Sequence, residues 1–264
     1  MSGISDRWAD LRTRLGSGAA MVAVGVAGIW IGGHVFHVLV AVICGLMVWE
    51  LVRMLEPDAP PLALQQGGVA ALAVLLATYL PPLYATPLLA AAVLVGINKV
   101  KQYTTVYVVF SALVLLAGWG MAHVRDDLGF GWMVWLVLVV VVTDVAGYFA
   151  GRIIGGPKFW PAVSPKKTWA GTSAGWVAAA VVGVGFGIGS GATGALVLAS
   201  VVISFASQMG DIAESAIKRR VGVKDSSNLI PGHGGLLDRF DGMLGASLAL
   251  LVLEVAFGFP WSVL

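Results

Sequence analysis

Between Ser207 and Gly245 the chain concentrates residues able to handle a polyanion. Read as a helix, residues 207–220 place Asp211, Ser215 and Lys218 at i, i+4 and i+7, on one face, with Glu214 beside them. A carboxylate, a hydroxyl and an ammonium so arranged suit a metal-bound polyphosphate. A loop then carries Lys224, Asp225 and Pro231, followed by a run in which Gly232, Gly234 and Gly235 surround His233. Glycines let a backbone approach a phosphate closely and turn its N–H groups inward. His233 reads equally as a phosphate donor, a general acid or a turn residue. Asp238 and Asp241 follow at i, i+3, so a helical start to the last apolar segment points both carboxylates one way. Such oxygen donors suit Mg²⁺, which takes a few carboxylates together with phosphate oxygens and water. Each feature is weak alone. A loop that only sets membrane topology needs lysine and arginine, but neither glycines around a histidine nor paired aspartates.

A second basic connection, 151–169, holds Arg152, Lys158 and then Ser164-Pro165-Lys166-Lys167-Thr168. Pro165 predicts an extended turn, and the lysines and hydroxyls suit a phosphate or a phospholipid head group. The alternative is an electrostatic anchor on anionic lipid. Asp144 lies in VVTDVAGYFAGR, two turns before Arg152. Carboxylates within apolar segments are expensive and usually have a task. Asp144 and Asp211 both sit near segment ends, where they could face a shared cavity or simply tie helices together. Glu254, alone in the last segment, reads as structural, and His34, His37 and His123 read as interfacial.

These residues must be positioned by membrane helices. Of 264 residues, 58% are hydrophobic and 11% charged, against about 25% charged in a soluble domain. Mean hydropathy is +0.90. The expected fold is all-α and polytopic, with about nine transmembrane helices near 17–33, 35–53, 66–82, 85–98, 104–123, 130–150, 170–190, 192–210 and 242–262. The first pair is split by Gly32-Gly33-His34 and the second by Pro81-Pro82; the fourth segment is the shortest. Neither repeats nor a soluble domain are apparent. Residues 1–140 read as an N-terminal set of five helices, and 141–264 as a catalytic region with polar loops 151–169 and 211–241. Asp6 and Asp10 interrupt the basic start, which argues against a signal peptide. Residues 1–16 read instead as an amphipathic lead-in, with Trp8 and Leu11 toward lipid and Arg7, Arg12 and Arg14 toward head groups. The single cysteine, Cys44, excludes an intrachain disulfide and a cysteine metal site. A net charge of +2 gives no ground for nucleic-acid binding.

With nine segments, one side of the membrane carries Arg7, Arg12, Arg14, Arg53, Lys99, Lys101, Arg152, Lys158, Lys166, Lys167, Lys218, Arg219, Arg220, Lys224 and Arg239, and the other only Arg125. That asymmetry predicts a cytoplasmic N-terminus and places both polar loops on the cytoplasmic side.

The run from Ser215 to Asp241 closely resembles the signature of the phosphatidate cytidylyltransferase family, at Ser215, Lys218, Arg219, Lys224, Asp225, Pro231, His233, Gly234, Gly235, Asp238, Arg239 and Asp241. Asp144 to Arg152 and Ser164 to Trp169 resemble two further family segments. The chain departs at Ala170, where the family often has an acidic or amide residue. The likeness is specific over 144–242; the first 140 residues match only in hydrophobicity.

The resemblance implies transfer of a cytidylyl group from CTP to phosphatidic acid, with Mg²⁺, in a multi-pass inner (plasma) membrane protein that forms a homodimer. Carried onto this chain, it implies metal ligands Asp211, Asp238 and Asp241, with Asp144 beside them. Lys218, Arg219 and Lys224 would neutralise triphosphate, and His233 and Arg239 belong to the same catalytic signature. Ser164, Lys167 and Thr168 would hold one substrate's phosphate, while Ser215, Gly234 and Gly235 would contact substrate. Two rivals are weighed. A CDP-alcohol phosphotransferase requires an aspartate pattern that Asp238, Asp241 and Gly242 do not reproduce. A transporter of an anionic solute would use Asp144 and Asp211 for coupling, but the internal half-repeats common in transporters are missing.

Overall fold

Glycine and proline punctuate the apolar runs, and α2, α3 and α4 begin at them. The computed structural model describes residues 3–189 and 191–259, with side chains from Arg12 onward. Among these residues run α1 (Gly3–Ile31), α2 (Gly33–Leu55), α3 (Pro60–Ala77), α4 (Pro82–Leu94), α5 (Thr104–His123), α6 (Phe130–Ile153), α7 (Trp169–Gly187), α8 (Thr193–Val221) and α9 (Leu237–Phe257). A π-helical turn, Val124–Leu128, extends α5. Pro60 and Pro82 open their helices, where a missing N–H does no harm. Gly32, at φ 67°, makes the break between α1 and α2.

Eight of the helices are long and apolar enough to cross a membrane, by length and composition. The chain is therefore a multi-pass membrane protein. The fourth apolar segment, α4, has 13 residues, about 20 Å of helix against a hydrocarbon core of about 30 Å. Two further expectations need correction. The lead-in and the first segment are one continuous helix, α1. Within the 151–169 connection, β1 (Lys158–Trp160) and β2 (Ser164–Thr168) pair antiparallel, Lys158 with Thr168 and Trp160 with Ser164, so Pro165 lies in extended chain. The second polar loop begins at 222 rather than 211, because α8 continues through the charged stretch to Val221. At 29 residues α8 is about 44 Å long, so its charged end extends past the hydrocarbon.

Compactness divides the chain into two units, neither of them continuous in sequence. One comprises Met1–Ala122 with Val221–Phe240. Here α2 is the most enclosed helix, with Leu51 and Val52 fully buried, and it packs on α1 and α3 while α3 packs on α4. Cys44 is a buried packing residue whose Sγ donates to the Val114 carbonyl at 3.6 Å. His34 is hydrogen-bonded to Tyr79 Oη at 2.7 Å, but His37 is buried against the Tyr79 ring rather than interfacial.

The other unit comprises His123–Arg220 with Asp241–Leu264. In it α6 packs on α7. Buried polar pairs tie α6 to α8: Trp135 Nε1 donates to Ser200 Oγ at 3.0 Å, and Thr143 Oγ1 to Ser204 Oγ at 2.8 Å. Glu254 has the structural role expected of it, meeting His123 Nε2 at 2.7 Å while His123 Nδ1 meets Asp127 at 2.5 Å.

Candidate active site

In the second unit the hairpin delivers cations to carboxylates on two helices. Thr168 ends β2 and caps α7, its Oγ1 accepting from the Gly171 N–H at 3.1 Å. That cap sets where β2 stops and so where Lys167 reaches. Lys167 Nζ lies 2.6 Å from Asp211 Oδ2 and donates to the Gln208 carbonyl at 3.3 Å. Ser215 Oγ donates to Asp211 Oδ1 at 3.3 Å, the i, i+4 contact expected on α8. A cavity of about 420 Å³ opens here. Asp144 and Arg152 of α6, Lys166 and Lys167 of β2, and Asp211 of α8 bring two carboxylates and three cations to its wall. Buried Gln208 holds the wall together: its Nε2 donates to the Thr172 carbonyl at 3.2 Å, and its Oε1 accepts from Trp176 Nε1 at 3.0 Å.

Asp241, on α9, lies within electrostatic reach of Asp211, Asp144 and Lys218, and its Oδ1 accepts from the Gly242 N–H at 2.7 Å. Gly210 fixes how closely α8 approaches there, because a Cβ on it would collide with the Asp241 carbonyl oxygen. Lys218 is paired at 2.6 Å with Glu214, which is fully buried. This pair neutralises the turn of α8 beyond Asp211.

In the first unit the Gly-rich turn is organised by a carboxylate from α2. Glu50, 0% exposed, accepts hydrogen bonds from Ser226 Oγ at 3.2 Å, Ser227 Oγ at 2.6 Å, and the N–H groups of Leu236 and Leu237 at 2.9 and 2.7 Å. It supplies negative charge at the start of α9, where unpaired N–H groups gather. Gly235 is glycine because a Cβ there would strike both the Glu50 carboxylate and Ser226 Oγ. Asp238 Oδ2 accepts from Ser226 N and Oγ at 2.9 Å each, and from Gly235 N at 2.8 Å. The turn itself closes through Ile230 N to the Gly234 carbonyl at 2.8 Å. His233 Nδ1 meets Ser17 Oγ at 2.9 Å, and Arg239 Nε donates to the His233 carbonyl at 2.9 Å.

The sequence profile of the cytidylyltransferase family matches residues 12–256. The chain belongs to the cytidylyltransferase family. Curated relatives named phosphatidate cytidylyltransferase include one from Brucella suis, 45% identical over 159 residues, which cover 58% of this chain and 56% of the relative. One from Helicobacter pylori is 46% identical over 132 residues, 49% of each chain. One from Mycobacterium bovis is 36% identical over 154 residues, 54% of this chain and 50% of the relative. The chain spans about half the length of the curated relatives it matches.

Within this chain the expected site residues divide into two groups. Asp144, Asp211, Lys167 and Thr168 come together on one cavity, with Asp241 in electrostatic reach. Lys224, His233, Gly234, Gly235, Asp238 and Arg239 belong to the first unit. Lys224 and Arg239 are exposed there, whereas Gly235 is buried. Ser164 pairs with Trp160 in the hairpin, and Arg219 is exposed at the end of α8. Among the described residues no three His, Cys, Asp or Glu side chains are grouped to hold a metal ion on their own. Asp238 is turned into its own loop, and Lys167 occupies Asp211 Oδ2. The donors nonetheless fit Mg²⁺, which is commonly held by one or two carboxylates while substrate phosphates and water complete its shell. Sequence reasoning missed Glu50 and Gln208. Both are polar residues within apolar segments, which is the signal that could have found them.

Proposed function

We propose that this member of the cytidylyltransferase family joins CTP to phosphatidic acid, giving CDP-diacylglycerol and pyrophosphate. A phosphate oxygen of phosphatidic acid attacks the α-phosphorus of CTP; the bond from that phosphorus to the bridging oxygen breaks, and its electron pair leaves with pyrophosphate. The nucleophile is already an anion, so no strong base is needed. The barrier lies in bringing two polyanions together, which positioning and charge neutralisation lower.

The observation that carries this reading is the cavity where Arg152, Lys166 and Lys167 face Asp144 and Asp211 beside strongly exposed apolar side chains. Next to Arg152, Ile153 and Ile154 are 79% and 71% exposed, and Tyr148 and Phe149 are also exposed. A charged pocket with an apolar flank suits a phosphate carried on acyl chains. On substrate binding Lys167 exchanges Asp211 for a phosphate oxygen, and Arg152 and Lys166 hold the remaining charge. Thr168 keeps Lys167 in place through its cap on α7. Asp211 and Asp241 would hold Mg²⁺, and Asp144 adds negative charge beside them. When bound, Mg²⁺ neutralises charge on the α-phosphate and the leaving oxygens. Arg219 would screen the triphosphate, while Lys218 keeps the end of α8 in register through Glu214.

The apolar helices and the bacterial relatives support an inner-membrane protein, and a soluble nucleotide substrate places this cavity on the cytoplasmic side, where CTP is found. A homodimer is the assembly implied by the resemblance. The test is a detergent-purified chain given labelled CTP, phosphatidic acid and Mg²⁺. Lipid-dependent CDP-diacylglycerol and pyrophosphate, abolished by EDTA and by Asp241→Asn, is the expected result. A folded wild type that makes neither product, or an Asp241→Asn chain of full activity, refutes the reading.

A further inference from the structure

The first unit contains a second cavity, of about 580 Å³, which the chemistry above does not use. Trp49, Arg53 and Pro57 from the end of α2 form one side, and Val223, Asp225 and Asn228 of the signature loop form the other. The Arg53 guanidinium carbon lies 5.4 Å from the centre of the Trp49 ring, giving a flat, polarisable wall. Arg53 is exposed and, among the described residues, has no carboxylate partner. Its donors are therefore available to a ligand. Asp225 and Asn228 are likewise exposed at the rim. The loop side is rigidly backed, because Ser226 and Ser227, which also line the cavity, are held from behind by buried Glu50.

Three properties define the ligand. The flat wall favours a planar ring, since base–aromatic stacking is a general means of holding nucleobases. A cation and a carboxylate on one rim favour a neutral group bearing both acceptors and donors. A phosphate head group meets repulsion from Asp225, and a fatty chain gains nothing from Arg53. We infer that this cavity is a nucleobase subsite for cytosine: the ring lies against Trp49, Arg53 at its edge donates to the ring-nitrogen and carbonyl acceptors, and Asp225 accepts from the exocyclic amine. Uracil, which has a carbonyl in place of that amine, is disfavoured by Asp225. The inference rests on CTP being the substrate of this chain, and it identifies the part of the protein that selects the base.

Direct binding separates this inference from the proposed reaction. The full-length protein in detergent is equilibrated with labelled CTP and Mg²⁺ in the absence of lipid, then challenged with unlabelled UTP. Wild type should bind CTP, with UTP competing at least about tenfold more weakly. Trp49→Ala and Arg53→Gln should weaken CTP binding about tenfold or more, on the scale of one lost stacking contact. Trp49→Phe should restore most of it, and Asp225→Asn should narrow the preference for CTP over UTP. In turnover assays the KM for CTP should rise in Trp49→Ala while the KM for phosphatidic acid stays within about twofold.

Unchanged CTP affinity in folded Trp49→Ala and Arg53→Gln overturns the inference. So does a rise in the KM for phosphatidic acid alone, which would make the cavity a head-group site. Wild type that discriminates CTP from UTP but turns over no phosphatidic acid refutes the reaction while leaving the base subsite standing.

Discussion

Replacing Glu50 with alanine should release the signature loop. Four donors converge on this carboxylate, and the side chain is 0% exposed. The hydroxyls of Ser226 and Ser227 can rotate toward other acceptors, but the N–H groups of Leu236 and Leu237, at 2.9 and 2.7 Å, cannot. Counting only those two, at about 1.5–3 kcal/mol for each bond to a charged group, gives about 3–6 kcal/mol. At 1.4 kcal/mol per decade the docked loop loses roughly a hundred- to ten-thousand-fold in relative population. Glu50→Gln keeps one acceptor oxygen but turns an NH₂ toward donors, so about half of that loss is expected. The bonds that Asp238 makes do not compensate, because they close the loop on itself rather than onto α2. Limited trypsin digestion is the assay, since Lys224 is exposed within the loop. Glu50→Ala should be cut there far faster than wild type and lose CTP turnover, with Glu50→Gln intermediate. A Glu50→Ala chain as protease-resistant and active as wild type refutes the reasoning.

Gly210→Ala forces α8 away from the Asp241 carbonyl. Overpacking of this kind destabilises by about 1–3 kcal/mol, and turnover should fall further than thermal stability does; equal losses in both would argue against a positioning effect. Lys167→Met removes an ion pair whose side chains are 23% and 35% exposed. Its stability should change by less than about 1 kcal/mol, while turnover drops by about a hundredfold; activity within threefold of wild type would remove Lys167 from the phosphate site. Thr168→Ala should cost about 1 kcal/mol through the lost α7 cap, with Thr168→Ser retaining most of it in thermal unfolding. A Thr168→Ser chain as unstable as Thr168→Ala would show that the hydroxyl is not the relevant group.

Helix positions were legible because the signals are local. Pro82 and Gly32 each break an apolar run at the point where the chain must restart, whereas the third segment, expected at 66–82, begins at Pro60 and ends at Ala77. The face shared by Asp211 and Ser215 follows from helical spacing alone and is present. What spacing could not supply was partners. Asp238 and Asp241 share a helix at i, i+3, yet one is bonded to Ser226 and Gly235 while the other feels Asp211 and Asp144. Hydropathy placed the end of the eighth segment at 210, but hydropathy marks the membrane boundary, not the helix boundary, and α8 runs on to Val221. Glu50 passed unnoticed because a single carboxylate near a segment end resembles an interfacial residue until its four donors, 176 to 187 positions away, are seen.

That separation bears on how the protein is made. The unit containing Glu50 is completed only by residues Val221–Phe240, so it cannot close until those residues have left the ribosome. Until then a carboxylate sits in an apolar helix without the donors that compensate it, at a cost of several kcal/mol. A chain halted before residue 236 would retain that defect permanently. The same contact that shapes the signature loop is thus among the last that the first unit can make.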